Sequence, residues 1–337
     1  EISSSDWSSD VCSSDLKRVV VTSLVRPFSA SIQKICQSGI LPEGNTSAYF
    51  GIYNLDYSKL SDGRKQLIDA IKGFDTLLKT VSSSTKTKIV GTISFGKKAW
   101  NYLADGNDEL LKAADQLIDF PGYGIAPSTQ TDLYIHIHSK KEFATFEAAK
   151  LAVDSFNKDN PLISVCDEKN GFVYKDSRDL TGFIDGTENP HGIEPRISAG
   201  LTSAGSSYVI VQRFIHNLKK WEKVEVPEQE KVIGRTKLDS VQLSPLPHNS
   251  HVGRADVKEN GKGLKIVRQS LPYGAPGSDM GLWFTAYCGK LHNIIEIERS
   301  MYGQRDGVTD RILGFITPVT GAFYFVPRSE ERRVGKE

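Results

Sequence analysis

The residues most capable of chemistry lie in and after an unusual stretch, LTGFIDGTENPHGIEP at residues 180–195, where glycine, proline and polar residues follow neither helical nor strand period. A long connection of this kind is either functional or disordered, and the apolar pair Phe183 and Ile184 argues against disorder. Asp185 would there present a carboxylate able to move a proton, although Asp185-Gly186 and Asn189-Pro190 equally suit a turn-forming linker. Seven histidines follow as candidates: His136, His138, His191, His216, His248, His251 and His292. His136 and His138 alternate along one strand face, so both rings could reach one metal ion. No third ligand stands at a recognisable spacing, and a solvated or interface strand face accounts for them better. His248 and His251 fall in PLPHNSHVGR, which reads as a loop, so one imidazole acting alone fits better than a zinc pair. Arg268 opens RQSLPYG just after a strand. It is either a surface ion-pair partner or a fixed cation aimed into a pocket, since a guanidinium keeps its charge and its donors are rigid.

These groups need a scaffold, and hydrophobic periodicity supplies one. SAYFGIYNL reads as a strand ending at Asp56, and Leu67, Ile68, Ile71 and Phe74 place a helix after it. KTKIVGTISFG and DLYIHIHS read as strands. KKEFATFEAAKLAVDSFN reads as a helix with Phe143, Phe146, Ala149, Val153 and Phe156 on one face, and PLISVC closes the unit. The second half repeats the order. SSYVIVQRF, KGLKIVRQS, GLWFTAYC and GAFYFVP are strands, HNLKKWEKVE starts a helical stretch broken by Pro227, and HNIIEIERSM is a helix. The expected fold is α+β, with two ferredoxin-like (split βαβ) units of antiparallel sheet covered by helices. The expected divisions are an N-terminal extension at 1–36, a first unit at 37–175, a linker carrying the GFIDGTENP loop at 176–205, a second unit at 206–328 and a tail at 329–337.

Whole-chain properties narrow the function. With 42 basic and 41 acidic residues among 337, the formal charge is +1, so neither nucleic acid nor an anionic membrane is an expected partner. No run approaches the roughly 20 apolar residues of a spanning helix, and the start lacks the layout of a secretory signal. Cys12, Cys36, Cys166 and Cys288 lie far apart and suit reduced thiols, so a cytoplasmic protein is expected.

Taken together, TGFIDGTENP and the further words QSGILP, VQRF, VIGRTK, SHV, RQSLPYG and TGAFYFVP, these six following one another in that order along the chain, resemble the landmarks of the dye-decolourising peroxidases, from about residue 37 to Arg328. The likeness is to the compact class without large insertions or an export signal. It implies haem b held mainly by the second unit, with His251 as the proximal iron ligand and Asp310 as that ligand's acidic partner. It further implies Asp185 and Arg268 as the distal catalytic pair. Phe284 is expected to roof the distal face, Arg235 and Lys237 to meet the propionates, and Gly186, Thr187 and Ser270 to complete the cofactor contacts. Ser270 departs from the asparagine that such proteins often carry there. The implied activity is reduction of hydrogen peroxide with oxidation of dyes or phenolic and other aromatic reductants. The alternative is a haem-binding, deferrochelatase-like protein with incidental peroxidase activity. Trp221, Trp283, Tyr287 and Tyr302 are available as electron relays, though each better suits an ordinary core or interface aromatic. A homo-oligomer is expected, because paired sheets commonly associate.

Overall fold

The computed structural model describes Gln33 and residues 35–332. Nearly all of the expected N-terminal extension, with Cys12, and the tail beyond Arg332 therefore lie outside the described residues.

The first unit runs β1 (Ser47–Leu55), α1 (Leu60–Thr85), β2 (Ile89–Phe95), α2 (Lys97–Ala104), α3 (Asp108–Ala113), β3 (Leu133–Ser139), α4 (Glu142–Phe156) and β4 (Ile163–Phe172). After α5 (Ile193–Gly200), the second unit runs β5 (Ser207–His216), α6 (Leu218–Trp221), α7 (Val226–Ile233) and α8 (His251–Ala255). A hairpin of β6 (Lys258–Glu259) and β7 (Lys262–Gly263) follows, then β8 (Val267–Arg268), β9 (Leu271–Gly274), β10 (Met280–Cys288), α9 (Leu291–Met301), β11 (Ile316–Pro318) and β12 (Ala322–Val326).

Antiparallel pairing orders the first unit β4-β1-β3-β2 and the second β12-β5-β10-β9. In each unit the order is fourth, first, third, second strand, so the α+β duplication expected from the sequence is present as a repeated topology. The two sheets meet at two seams of one residue pair each, Phe325 with Phe95 and Gly171 with Tyr273, so the eight strands form a closed ring.

Alternation along β1 shows how one strand serves two cores. Ala48, Phe50 and Ile52 point into the ring, where they join Tyr134, Val209, Trp283, Tyr287 and Tyr324. Tyr49, Tyr53 and Leu55 face the helices and join Leu67, Ile71 and Phe74 of α1, as period two requires. His136 and His138 also lie inside the ring at 0% and 2% exposure, which rules out a solvated strand face.

Some expectations need correction. On α4 the aromatic stripe is not the buried one: Phe143 and Phe146 are exposed, and Ala144, Ala148, Ala149, Ala152 and Phe156 are buried. Small side chains let α4 lie close to α1 and the sheet, which the aromatic spacing concealed. KGLKIVRQS is not a continuous strand. Lys262 and Gly263 pair with β6, the chain leaves the sheet at 264–266, and only Val267 and Arg268 pair with β10, in a register that continues into β9. His251 opens a short helix instead of sitting in a loop, with Ser250 as N-cap accepting from the Gly253 amide at 3.2 Å. Pro227 is the second residue of α7 and does not break it, consistent with its tolerance in a first helical turn.

Candidate active site

Asp185 and Arg268 come from segments 83 residues apart by their numbering (268 minus 185), and the fold brings them together: Arg268 Nη1 lies 3.3 Å from Asp185 Oδ1. The Asp185 amide donates to the Ser177 carbonyl, and its Oδ1 accepts from the Gly186 amide at 2.6 Å, so the loop is structured by its own turns. Gly186 has φ +87°, a region open to glycine at little cost. Asn189 fastens loop to strand. Its Nδ2 donates to the Arg268 carbonyl and its Oδ1 accepts from the Arg268 amide, both at 2.9 Å. Sequence reasoning treated Asn189 as a turn former and missed this role, although its place four residues after Asp185 was the available signal.

His251 lines the same cavity as this pair. Its Nδ1 donates to Asp310 Oδ2 at 2.7 Å, which leaves Nε2 as the nitrogen free for a ligand. The ring keeps 31% of its side-chain surface exposed while Asp310 has 0%. Burial alone would lower the His251 pKa, but the Asp310 charge and hydrogen bond outweigh it and the net shift is upward; Arg268 and Asp185 also act on it, downward and upward respectively.

His251, Asp185 and Arg268 line one cavity of about 1450 Å³ of empty space including its open mouth. Between them the walls are mainly apolar, with Phe214, Leu282 and Phe284 from the sheet and Ile297 and Met301 from α9. The wall also holds buried polar atoms that make no hydrogen bond, namely Gln212 Oε1, His216 Nδ1, Asp179 Oδ1 and Glu298 Oε2. Burial pushes the Glu298 carboxyl up to about 8. An imidazole, a carboxylate and a guanidinium in one mainly apolar cavity suit a flat, largely apolar macrocycle carrying an iron.

The other expected contacts divide. Gly186, Thr187, Arg235 and Phe284 line the cavity, and Asp310 stands behind His251. Arg235 is ion-paired with Glu188 and donates to the Ser240 carbonyl. Lys237 and Ser270 are not among the lining residues. Lys237 Nζ donates to Gln229 at 2.6 Å over the Phe183 ring, and the Ser270 hydroxyl bonds the Thr285 backbone. Trp221, Trp283, Tyr287 and Tyr302 are all buried, none more than 2% exposed. The His136 and His138 rings stack at 4.4 Å but are held by protein partners. His138 uses both nitrogens, on Asn45 and the Gly39 carbonyl, and His136 Nδ1 meets the Tyr287 hydroxyl. Among the described residues no group of three or more His, Cys, Asp or Glu side chains is placed to hold a metal ion.

The chain is similar to known proteins over most of its length. Models described as Dyp-type peroxidase, N-terminal, and Dyp-type peroxidase, C-terminal, match residues 37–173 and 176–331. A dye-decolorizing peroxidase of Mycobacterium tuberculosis is 35% identical over 281 residues, 79% of this chain and 82% of that protein. Among solved structures, a dye-decolorizing protein from V. cholerae superposes with a TM-score of 0.79 at 40% identity, covering 88% of this chain and 98% of its own. A Rhodococcus jostii RHA1 DypB variant in complex with heme superposes with a TM-score of 0.80 at 30% identity, covering 88% and 98%.

Proposed function

Because the chain belongs to the DyP-type peroxidase family, we propose that His251 is its axial iron ligand and that Asp185 and Arg268 are its catalytic pair. The protein is a haem-dependent peroxidase that acts on dyes, and the family evidence favours this over a haem-delivery or iron-removing role. The observation that carries the site proposal is that an imidazole, its Nδ1 already committed to a buried aspartate, lines the same cavity as an arginine–aspartate ion pair.

Haem, when bound, supplies the oxidation by peroxide and the return of electrons from the reductant. The chain's own groups do the rest. His251 holds the iron through Nε2, and Asp310, accepting from Nδ1, raises the basicity of that ligand. With haem bound, Asp185 would be the group that accepts a proton from peroxide and returns it, directly or through one water. Arg268 sets a fixed cation beside the charge that develops on the departing oxygen. Phe284 and Phe214 keep the pocket apolar, and Arg235, ion-paired with Glu188, would be the residue to meet a carboxylate of the cofactor. Phenolic and other aromatic reductants, a cytoplasmic location, a homo-oligomer and division at 37–175, 176–205 and 206–328 belong to the same proposal. The repeated strand order supports the division. No helix among the described residues is long and apolar enough to cross a membrane.

The test is spectroscopic. His251→Ala loses the Soret band or shifts it to an abnormal ligation state, and an unchanged spectrum overturns the ligand assignment. Asp185→Ala and Arg268→Ala keep haem and slow peroxide cleavage by about 10²-fold or more in stopped flow; undiminished rates in both overturn the distal assignment.

A further inference from the structure

Beneath the cavity two aspartates of one short segment, Asp306 and Asp310, share two basic groups of one short helix, His251 and Arg254. Arg254 is 2% exposed. It forks onto Asp306, Nη2 to Oδ1 at 2.8 Å and Nη1 to Oδ2 at 2.9 Å, and its Nε and Nη2 donate to the Ser300 carbonyl at 3.0 and 2.8 Å. His248 Nε2 lies 3.1 Å from Asp306 Oδ2 and 3.2 Å from Arg254 Nη1. Asp310 is anchored on the next carbonyl of the same helix, its amide donating to Met301 O at 2.9 Å. Its carboxylate accepts from His251 Nδ1 and, at 3.0 Å, from the Ile312 amide. Arginine and aspartate thus dock on consecutive residues of α9, and among the described residues His251 is the basic side chain paired with Asp310.

A guanidinium is the stronger competitor for a carboxylate, because it is always charged and offers a bidentate fork. Left unpaired in this setting, Arg254 would turn to Asp310 and draw its charge away from the imidazole. We propose that Asp306 segregates the charges: it occupies Arg254 so that Asp310 acts on His251 alone. Asp306 and Arg254 are accordingly positioning residues for the iron ligand, acting through Asp310. The Arg254 hydrogen bonds hold the Asp306 carboxyl well below the usual carboxylate range, as a committed partner should be. The packing leaves the segment little freedom, since a Cβ at Gly253 would lie 2.6 Å from the Pro247 carbonyl oxygen.

The inference rests on His251 as the axial ligand, and the experiment separates the two. In the ferrous haem-loaded protein, the iron–histidine stretching band in resonance Raman reports how anionic the imidazole is, independently of turnover. Asp306→Asn lowers that frequency and speeds haem transfer to apomyoglobin on the order of tenfold, the smaller end of the range for outer-shell partners of a metal ligand. The double variant Asp306→Asn/Arg254→Gln, which removes the competitor as well, returns the band towards wild type. A purely structural clamp predicts the opposite, with the double variant worse than the single. An unmoved band in Asp306→Asn, or no recovery in the double variant, overturns the proposal. If Asp306→Asn does not fold, Asp306→Glu, with its charge moved by one methylene, gives a smaller shift in the same direction; no shift overturns the proposal. A band that survives in His251→Ala overturns the ligand assignment itself, and the segregation with it.

Discussion

Asn189 carries no charge and touches neither side chain of the distal pair, yet it decides where they stand. Its amide replaces a missing strand partner for Arg268, bonding that residue's own N–H and C=O. Asn189→Ala therefore lets the arginine drift relative to Asp185. Misplacing a catalytic group by about 1 Å can cost about 10²-fold, so peroxide cleavage slows by one to two orders of magnitude while the Soret band persists. Stopped-flow absorbance checks both, and a wild-type rate would show that the loop holds without this bond. At this scale the sequence revealed identities better than partners. Asp185, Arg268 and His251 could be named because their words are rare, whereas Asn189, Gln212 and Arg254 depend on which backbone or cavity faces them, and spacing along the chain does not encode that.

For whole elements, residue size misled more than residue polarity. The aromatic spacing on α4 is real, but the helix turns its alanines inward because the gap above the sheet admits nothing larger. Ala148→Leu or Ala152→Leu overpacks that gap and should cost about 1–3 kcal/mol, read as a lower melting temperature with the haem spectrum intact. No loss would mean that α4 packs more loosely than its burial indicates. Helix α8 was hidden for another reason. Five residues after a Pro/Asn/Ser loop show no periodicity, and only the Ser250 cap and the packing of Gly253 reveal that the chain has turned helical. Most strands were legible from their aromatic and β-branched content, as β1 illustrates, but the break inside KGLKIVRQS and the short β9 were not.

Across the whole molecule the repeated strand order was readable from the succession of elements, but the closing of two sheets into one ring was not. That closure rests on two single-pair seams and on aromatic residues contributed by both halves. A buried acid adds a pH dependence to the ensemble. Between the ordinary glutamate range and about pH 8, folded Glu298 keeps a proton that the unfolded chain releases, so stability falls as pH rises through that window. Glu298→Gln removes this dependence. Its melting temperature should match wild type near pH 5 and exceed it by pH 8, whereas a constant offset would place the titration elsewhere.

The pocket wall is drawn wholly from the later part of the chain, from Asp179 to Ile316. Among the described residues, those before it close the ring of strands and contribute nothing to that wall. A fluorophore or affinity handle spliced beside Gly106, an open turn with nothing near its α-carbon, should therefore ride on the enzyme unnoticed by its chemistry. The molecule comes with a place to hold it.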